Sequence, residues 1–343
     1  MITEQIKSIL MSRRILRDDP VGNIWIDEYF QEAINGLEIA DVEILVCNSL
    51  QRRCSCATMR NKKIIVLDNY LSELFIIFNQ ILCNENDSKY LEPFFYKLVY
   101  ESYFLNGNIK FAAIYKTLMI NKFREVGKLH IKQVTRSSTP QYLYAQQAFL
   151  VMHEVIHSFF KDFPDKYATQ KKAVSLVLDK IFYNKEIGHI QMVSDDFLEE
   201  LCCDHLAAIS AISISTEHGH CSKSDASCAI IMALHYHFLL LCIDRIVEDN
   251  YLSDKVGEFA IRVTIIKLFV SNYFKVNNPE LVDNINNIIS DKIDVWKKRF
   301  LEPFTEFMKI QKINKSRYEG MKLSDEEIEQ LRRGLVKGFP TAD

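Results

Sequence analysis

The chain has 343 residues, of which 48% are hydrophobic and 25% charged, with a formal net charge of −3 at pH 7. That is enough apolar material for a well-buried core, as one large domain or one domain plus an appendage. A near-balanced charge with no run of one sign argues against a nucleic-acid-binding surface.

Taken in chain order, Met1-Ile2-Thr3-Glu4-Gln5-Ile6-Lys7 lacks the apolar core of a signal peptide. Residues 1–35 offer a short amphipathic helix and a Trp25-Ile26 segment. Val42 to Cys47 is a short apolar run, rich in β-branched residues and closed by Asn48-Ser49, which predicts a strand. Cys54-Ser55-Cys56 reads as ordinary thiols. Ile64 to Leu67, bounded by Lys62-Lys63 and Asp68-Asn69, predicts a second strand, paired with the first as an antiparallel ribbon. Helical patterns follow at 70–84, 90–105 and 110–126, separated by polar breaks such as Asn84-Glu85-Asn86-Asp87 and Asn106-Gly107-Asn108.

A longer helix is predicted from Ser138-Thr139-Pro140, a hydroxyl cap followed by proline at the first position, to Lys161-Asp162-Phe163-Pro164. Leu143, Ala145, Ala148, Phe149, Met152 and Ile156 recur at helical spacing along it. Within it lies His153-Glu154-Val155-Ile156-His157. Four residues is about one turn, so both imidazoles point the same way and can hold one divalent metal. Glu154, one position after the first histidine, stands beside such a metal and can take a proton from a water that the metal activates. The competing reading is two satisfied core histidines with a chance glutamate between them.

Catalytic zinc usually takes three protein ligands and leaves a position for water. The run from Ser194 to Ala208 supplies the third: Ser194 or Asp195 caps a helix whose first turn is acidic, and Glu200 and Asp204 share a face. Glu200 as ligand, with Asp204 holding the outer nitrogen of a ligand histidine, meets both needs of the site. Glu199 competes for the ligand role. Its partner four places on is Cys203, which orients an imidazole poorly, so one of the two glutamates reads as part of a solvated turn. The adjacent Cys202 and Cys203, within an odd total of nine cysteines, read as free thiols of a reducing, cytoplasmic setting.

Further on, His218-Gly219-His220-Cys221 is a weak candidate for a second metal, and His205 reads as structural. Cys228 to Ile243 is apolar over 16 residues, short of a membrane span, and predicts a buried core helix. His235, Tyr236 and His237 sit in its middle. The reaction needs a donor for the oxyanion, and His237 or His235 is the candidate for it, against a reading as core residues. Long helices are expected at about 255–275 and 279–311. Ser324-Asp325-Glu326-Glu327 is a capping box for a last charged helix to about 333, with a loose tail from Gly334.

His153-Glu154-x-x-His157 followed by Glu200-x-x-x-Asp204 resembles the gluzincin metallopeptidases, the broad clan of thermolysin and the membrane CAAX-prenyl and HtpX-like proteases. The stretch from Cys56 to Leu71 is similar to the segment ahead of the active site in the last group. The resemblance implies a zincin-like core within an α+β, predominantly helical fold. It implies that the strand at 64–67 edges a cleft, where substrate lies as an added strand. A helical insertion of about 70–135 separates that strand from the histidine helix, and the transmembrane segments of those relatives are missing. The domain expected is 1–312, with a charged helix and tail at 313–343.

The function expected is that of a zinc-dependent metalloendopeptidase acting on protein or peptide substrates. Zn²⁺ would be held by His153, His157 and Glu200, with Glu154 as base and Asp204 behind a ligand. The alternative is a catalytically silent or autoinhibited zinc-binding helical protein with a regulatory or interaction role.

Overall fold

Residues 42–47, 50–59, 62–127, 139–182, 194–217, 219–247, 254–320, 324 and 326–330 are described by a computed structural model. The helix expected within 1–35, the tail from Gly334 and His218 lie outside them. Val42–Cys47 (β1), Cys54–Met59 (β2) and Lys62–Asp68 (β3) form one sheet of order β1-β3-β2. The sheet is mixed, which corrects the expected antiparallel ribbon: β1 runs parallel to β3, with Val42 opposite Lys63 and Cys47 opposite Asp68. The reason is β2, which lies between them in sequence and pairs antiparallel with β3 from Cys54–Leu67 to Met59–Lys62. An extra reversal of the chain turns β1 the other way. Of the six residues of β2 only Thr58 is β-branched, so no strand-like run announces it. β3 takes the middle, where both faces are covered, and its consecutive Ile64 and Ile65 are almost fully buried.

The chain divides into two units. The first comprises Met1–Ile76, Arg136–His235 and Glu258–Ile289. Besides the sheet and the start of helix α1 (Asn69–Cys83), it carries α4 (Thr139–Asp162), α5 (Pro164–Phe182) and α6 (Asp195–Glu217). To these it adds most of α7 (Lys223–Val247) and α8 (Asp254–Asn277). Tyr142, Leu143, Ala145, Phe149, Met152, Val155, Ile156 and Phe160 line the buried side of α4, which packs along α6 and against β2 and β3. Pro164 ends α4 and also opens α5, its missing N–H harmless at a first position. No helix is expected at α5, where Val174 and Leu178 are the buried apolar residues among those whose side chains are described. Ser194 caps α6, its Oγ accepting from the N–H of Phe197 at 3.2 Å.

The second unit comprises Ile77–Thr135, Tyr236–Gly257 and Ser290–Asp343. Most of the expected insertion therefore groups with the end of α7 and with the C-terminal helices. Here α2 (Leu91–Leu105) packs along α3 (Ile109–Val126), joined by a turn in which Gly107 takes φ +73°. That left-handed conformation favours glycine. The core is aromatic: Phe95 lies 5.2 Å from Phe304 and 5.3 Å from Phe307, and Tyr103 stacks on Phe111 at 4.9 Å. The helix expected at 279–311 is subdivided. A 3₁₀ turn at Pro279–Leu281 leads into α9 (Val282–Trp296), a π turn at Lys297–Leu301 and α10 (Glu302–Glu319). Pro303 has no N–H for the carbonyl of Arg299, which accounts for the local widening.

α7 has 25 residues, not the 16 of its apolar stretch, with a mean hydropathy of 2.0 over its most apolar window. It is long and apolar enough to cross a membrane by length and composition, but 78% of that window is buried within the fold.

Candidate metal centre

One turn of α4 separates His153 from His157, and their Nε2 atoms lie 3.2 Å apart. From α6, Glu200 places Oε2 at 3.3 Å from Nε2 of His153 and Oε1 at 3.3 Å from Nε2 of His157. The three expected ligands thus meet. One ligand atom from each of the three lies within 4.8 Å of the others, close enough for the set to hold a single metal ion.

Charge agrees with geometry. Glu154, Glu199, Glu200 and Asp204 surround the two imidazoles, and Arg262 of α8 pairs with two of these carboxylates, Glu200 at 2.6 Å from its Nη1 and Asp204 at 2.7 Å from its Nε. Burial works against charge on His153, yet the carboxylates of Asp204 and Glu200 outweigh it and push its pKa up to about 10. His157 moves the same way, with Glu200 again outweighing burial. Burial also opposes charge on Glu200, but the two imidazoles and Arg262 hold it well below the usual carboxylate range. The cluster therefore draws positive charge, as protons or as a divalent cation.

Each imidazole is backed at its outer nitrogen. Nδ1 of His157 lies 2.7 Å from Oε1 of Glu199. Nδ1 of His153 lies 3.0 Å from Oδ1 of Asp204, but the line of approach falls short of a hydrogen bond and leaves this buried nitrogen without one. The straight bonds of Asp204 come from Arg262, Nε to Oδ2 at 2.7 Å and Nη2 to Oδ1 at 2.8 Å. Asp204 is only 1% exposed, a setting in which a carboxylate needs such a partner.

Two of these residues escape the sequence reading. Glu199 stands at the outer nitrogen of His157 as Asp204 approaches that of His153, a placement the sequence does not single out. Arg262 carries a weak signal, a lone cation between Ala260-Ile261 and Val263-Thr264-Ile265-Ile266. A second grouping, His157 with Glu199 and Cys203, also has ligand atoms within 4.8 Å of one another. It shares His157 with the first set, and burial together with Glu200 and Asp204 holds the Cys203 thiol far above its ordinary pKa. A thiolate ligand there is costly, so the set with Glu200 is the better site.

Glu154 accepts from the main-chain N–H of Cys56 on β2, at 2.8 Å to Oε2. Burial raises its pKa, and the imidazoles and the Cys56 N–H offset part of that rise. Lys63 of β3 also reaches α4, where its ammonium pairs with Asp162 and lies 3.4 Å from the carbonyl of Ser158. The strand expected to edge the cleft is corrected: Ile64 to Leu67 lies in the central β3, and the edge beside α4 is β2.

The remaining candidates separate from the cluster. His205 packs on Phe269 at 4.5 Å, with Nδ1 2.6 Å from Nε2 of Gln170, as a structural residue does. His220 stacks on Tyr144 at 4.0 Å, and the Cys221 thiol faces the carbonyl of Ser215. Tyr236 donates to Oδ1 of Asn79 at 3.1 Å inside the second unit. His235 is buried, and His237, half-buried on α7, belongs to the second unit and is not among the residues that the first brings to the cluster. All nine cysteines are free thiols. Comparisons with protein-family models, curated proteins and solved structures find no match to this chain.

Proposed function

We propose that this chain is a zinc metallopeptidase of the gluzincin kind, hydrolysing peptide bonds in proteins or peptides. The observation that carries the reading is the meeting of His153, His157 and Glu200, one ligand atom from each within 4.8 Å of the others, with a glutamate one residue after the first histidine. His153, His157 and Glu200 would hold the metal, Glu199 and Asp204 stand behind the imidazoles, and Arg262 braces Glu200 and Asp204. Zinc at that place supplies a Lewis acid that brings a water toward neutral pKa and polarises a carbonyl. Glu154 takes the proton of the attacking water and passes it to the leaving amine. Its burial favours that role, because a carboxylate raised from its usual pKa is a stronger base.

The test is metal content and peptide hydrolysis on purified wild type, His153→Ala, His157→Ala, Glu200→Ala and Glu154→Gln. Zinc near one per chain in wild type and Glu154→Gln, its loss in the other three, and turnover in wild type alone are expected. Zinc binding without hydrolysis in wild type selects the silent regulatory protein instead. No zinc in wild type rejects both readings.

A further inference from the structure

We propose that Cys56 is a positioning residue for Glu154, acting through its main-chain N–H and not through its thiol. The inference rests on Glu154 being the base and concerns what holds that base in place.

The pairing of β2 shows why this N–H is available. The N–H of Asp68 donates to the carbonyl of Arg53 at 3.1 Å, which makes that pair a hydrogen-bonded one. Antiparallel pairs alternate, so Ser55–Val66 and Ala57–Ile64 also bond across the ladder, while the main-chain groups of Cys54, Cys56 and Thr58 turn away from β3. Among the described residues β2 is an edge of the sheet, and no described strand claims those groups. Glu154 meets the middle one, with Oε2 at 2.8 Å from the Cys56 nitrogen, across 98 residues of sequence. A glutamate has three side-chain torsions, and anchoring one oxygen on a strand fixes where the other lies. A misplacement of about 1 Å can cost on the order of 10²-fold in rate, so a fixed base matters.

The same pairing supplies a clean perturbation. Proline lacks the N–H, and an edge strand tolerates it where the N–H faces away from the ladder. Cys56→Pro therefore deletes the anchor and spares the bonds to β3, and Cys56→Ala, which keeps the N–H, is its comparator. Ala57→Pro removes a donor that faces β3 and reports the cost of breaking the ladder itself. Relative to Cys56→Ala, Cys56→Pro should show a 10–100-fold lower kcat with KM and zinc content unmoved. Equal kcat in the two variants overturns the proposal. Amide hydrogen exchange gives a readout independent of metal and turnover. In the wild type the Cys56 amide should exchange more slowly than those of Cys54 and Thr58, and Glu154→Ala should bring it to their rate. A Cys56 amide unaffected by Glu154→Ala overturns the proposal even if the proline variant fails to fold. A wild type that exchanges as expected but never hydrolyses a peptide removes the peptidase reading and leaves the anchor standing.

Discussion

Asp204→Asn tests the frame behind the metal ligands most directly. The carboxylate is 1% exposed and takes two bonds from Arg262, at 2.7 and 2.8 Å. The amide keeps the shape and one acceptor but removes the charge, leaving a guanidinium that is 12% exposed with Glu200 as its charged partner. Breaking a buried pair from one side costs about 3–5 kcal/mol, and the acceptor that survives places the loss near the low end, about 3 kcal/mol. At 2–4 °C per kcal/mol for a unit of roughly 150–250 residues, the melting midpoint of the metal-free protein should fall on the order of 10 °C. Zinc affinity should fall separately, because changing a group behind a ligand imidazole costs about 10–100-fold. The 3.0 Å approach to Nδ1 of His153 is not a straight hydrogen bond, which argues for about tenfold. Thermal melts in chelator measure the first effect, and competition with a chromophoric chelator the second. A metal-free midpoint within about 2 °C of wild type refutes the buried pair. An affinity within about threefold refutes the part assigned to Asp204 behind His153.

Other outcomes follow from the same geometry. Glu199→Gln should weaken zinc about tenfold while changing metal-free stability by less than about 1 kcal/mol, since Glu199 is 31% exposed. Unchanged zinc affinity in that variant takes Glu199 out of the site. Chelation should destabilise the wild type by about 2.7 kcal/mol relative to zinc at 100 times its Kd, and should leave His157→Ala unmoved. An equal shift in both proteins places the metal elsewhere. Burial lowers the pKa of His205 from 6.5, so the unfolded chain takes up that proton at higher pH than the folded one. Stability from a neutral His205 is therefore present above about 6.5 and lost as pH falls through that value toward the folded pKa. His205→Leu should flatten the decline between about pH 7 and 5, read by denaturant titration at each pH; parallel curves for the two proteins refute this.

The helices were legible wherever a full apolar stripe repeats. Those expected at 70–84, 90–105 and 110–126 appear as Asn69–Cys83, Leu91–Leu105 and Ile109–Val126. The His-Glu-x-x-His spacing fixes its own geometry, since one helix sets both imidazoles, and the four-residue step from Glu200 to Asp204 does the same on α6. What the sequence hides is long-range. The direction of β1 depends on β2, a strand with little β propensity. α5 buries too narrow a stripe to register. Arg262 joins Asp204 from 58 residues away, a pairing that no local spacing encodes.

The late place of Arg262 in the chain has a consequence for synthesis. A ribosome that has extruded α4 and α6 but not α8 presents Glu200 and Asp204 before their guanidinium exists. Docking those two helices then buries Asp204 without its partner unless protons on His153 and His157, or a captured cation, offset the charge. Translation past α8 closes this interval, when Arg262 reaches Glu200 and Asp204.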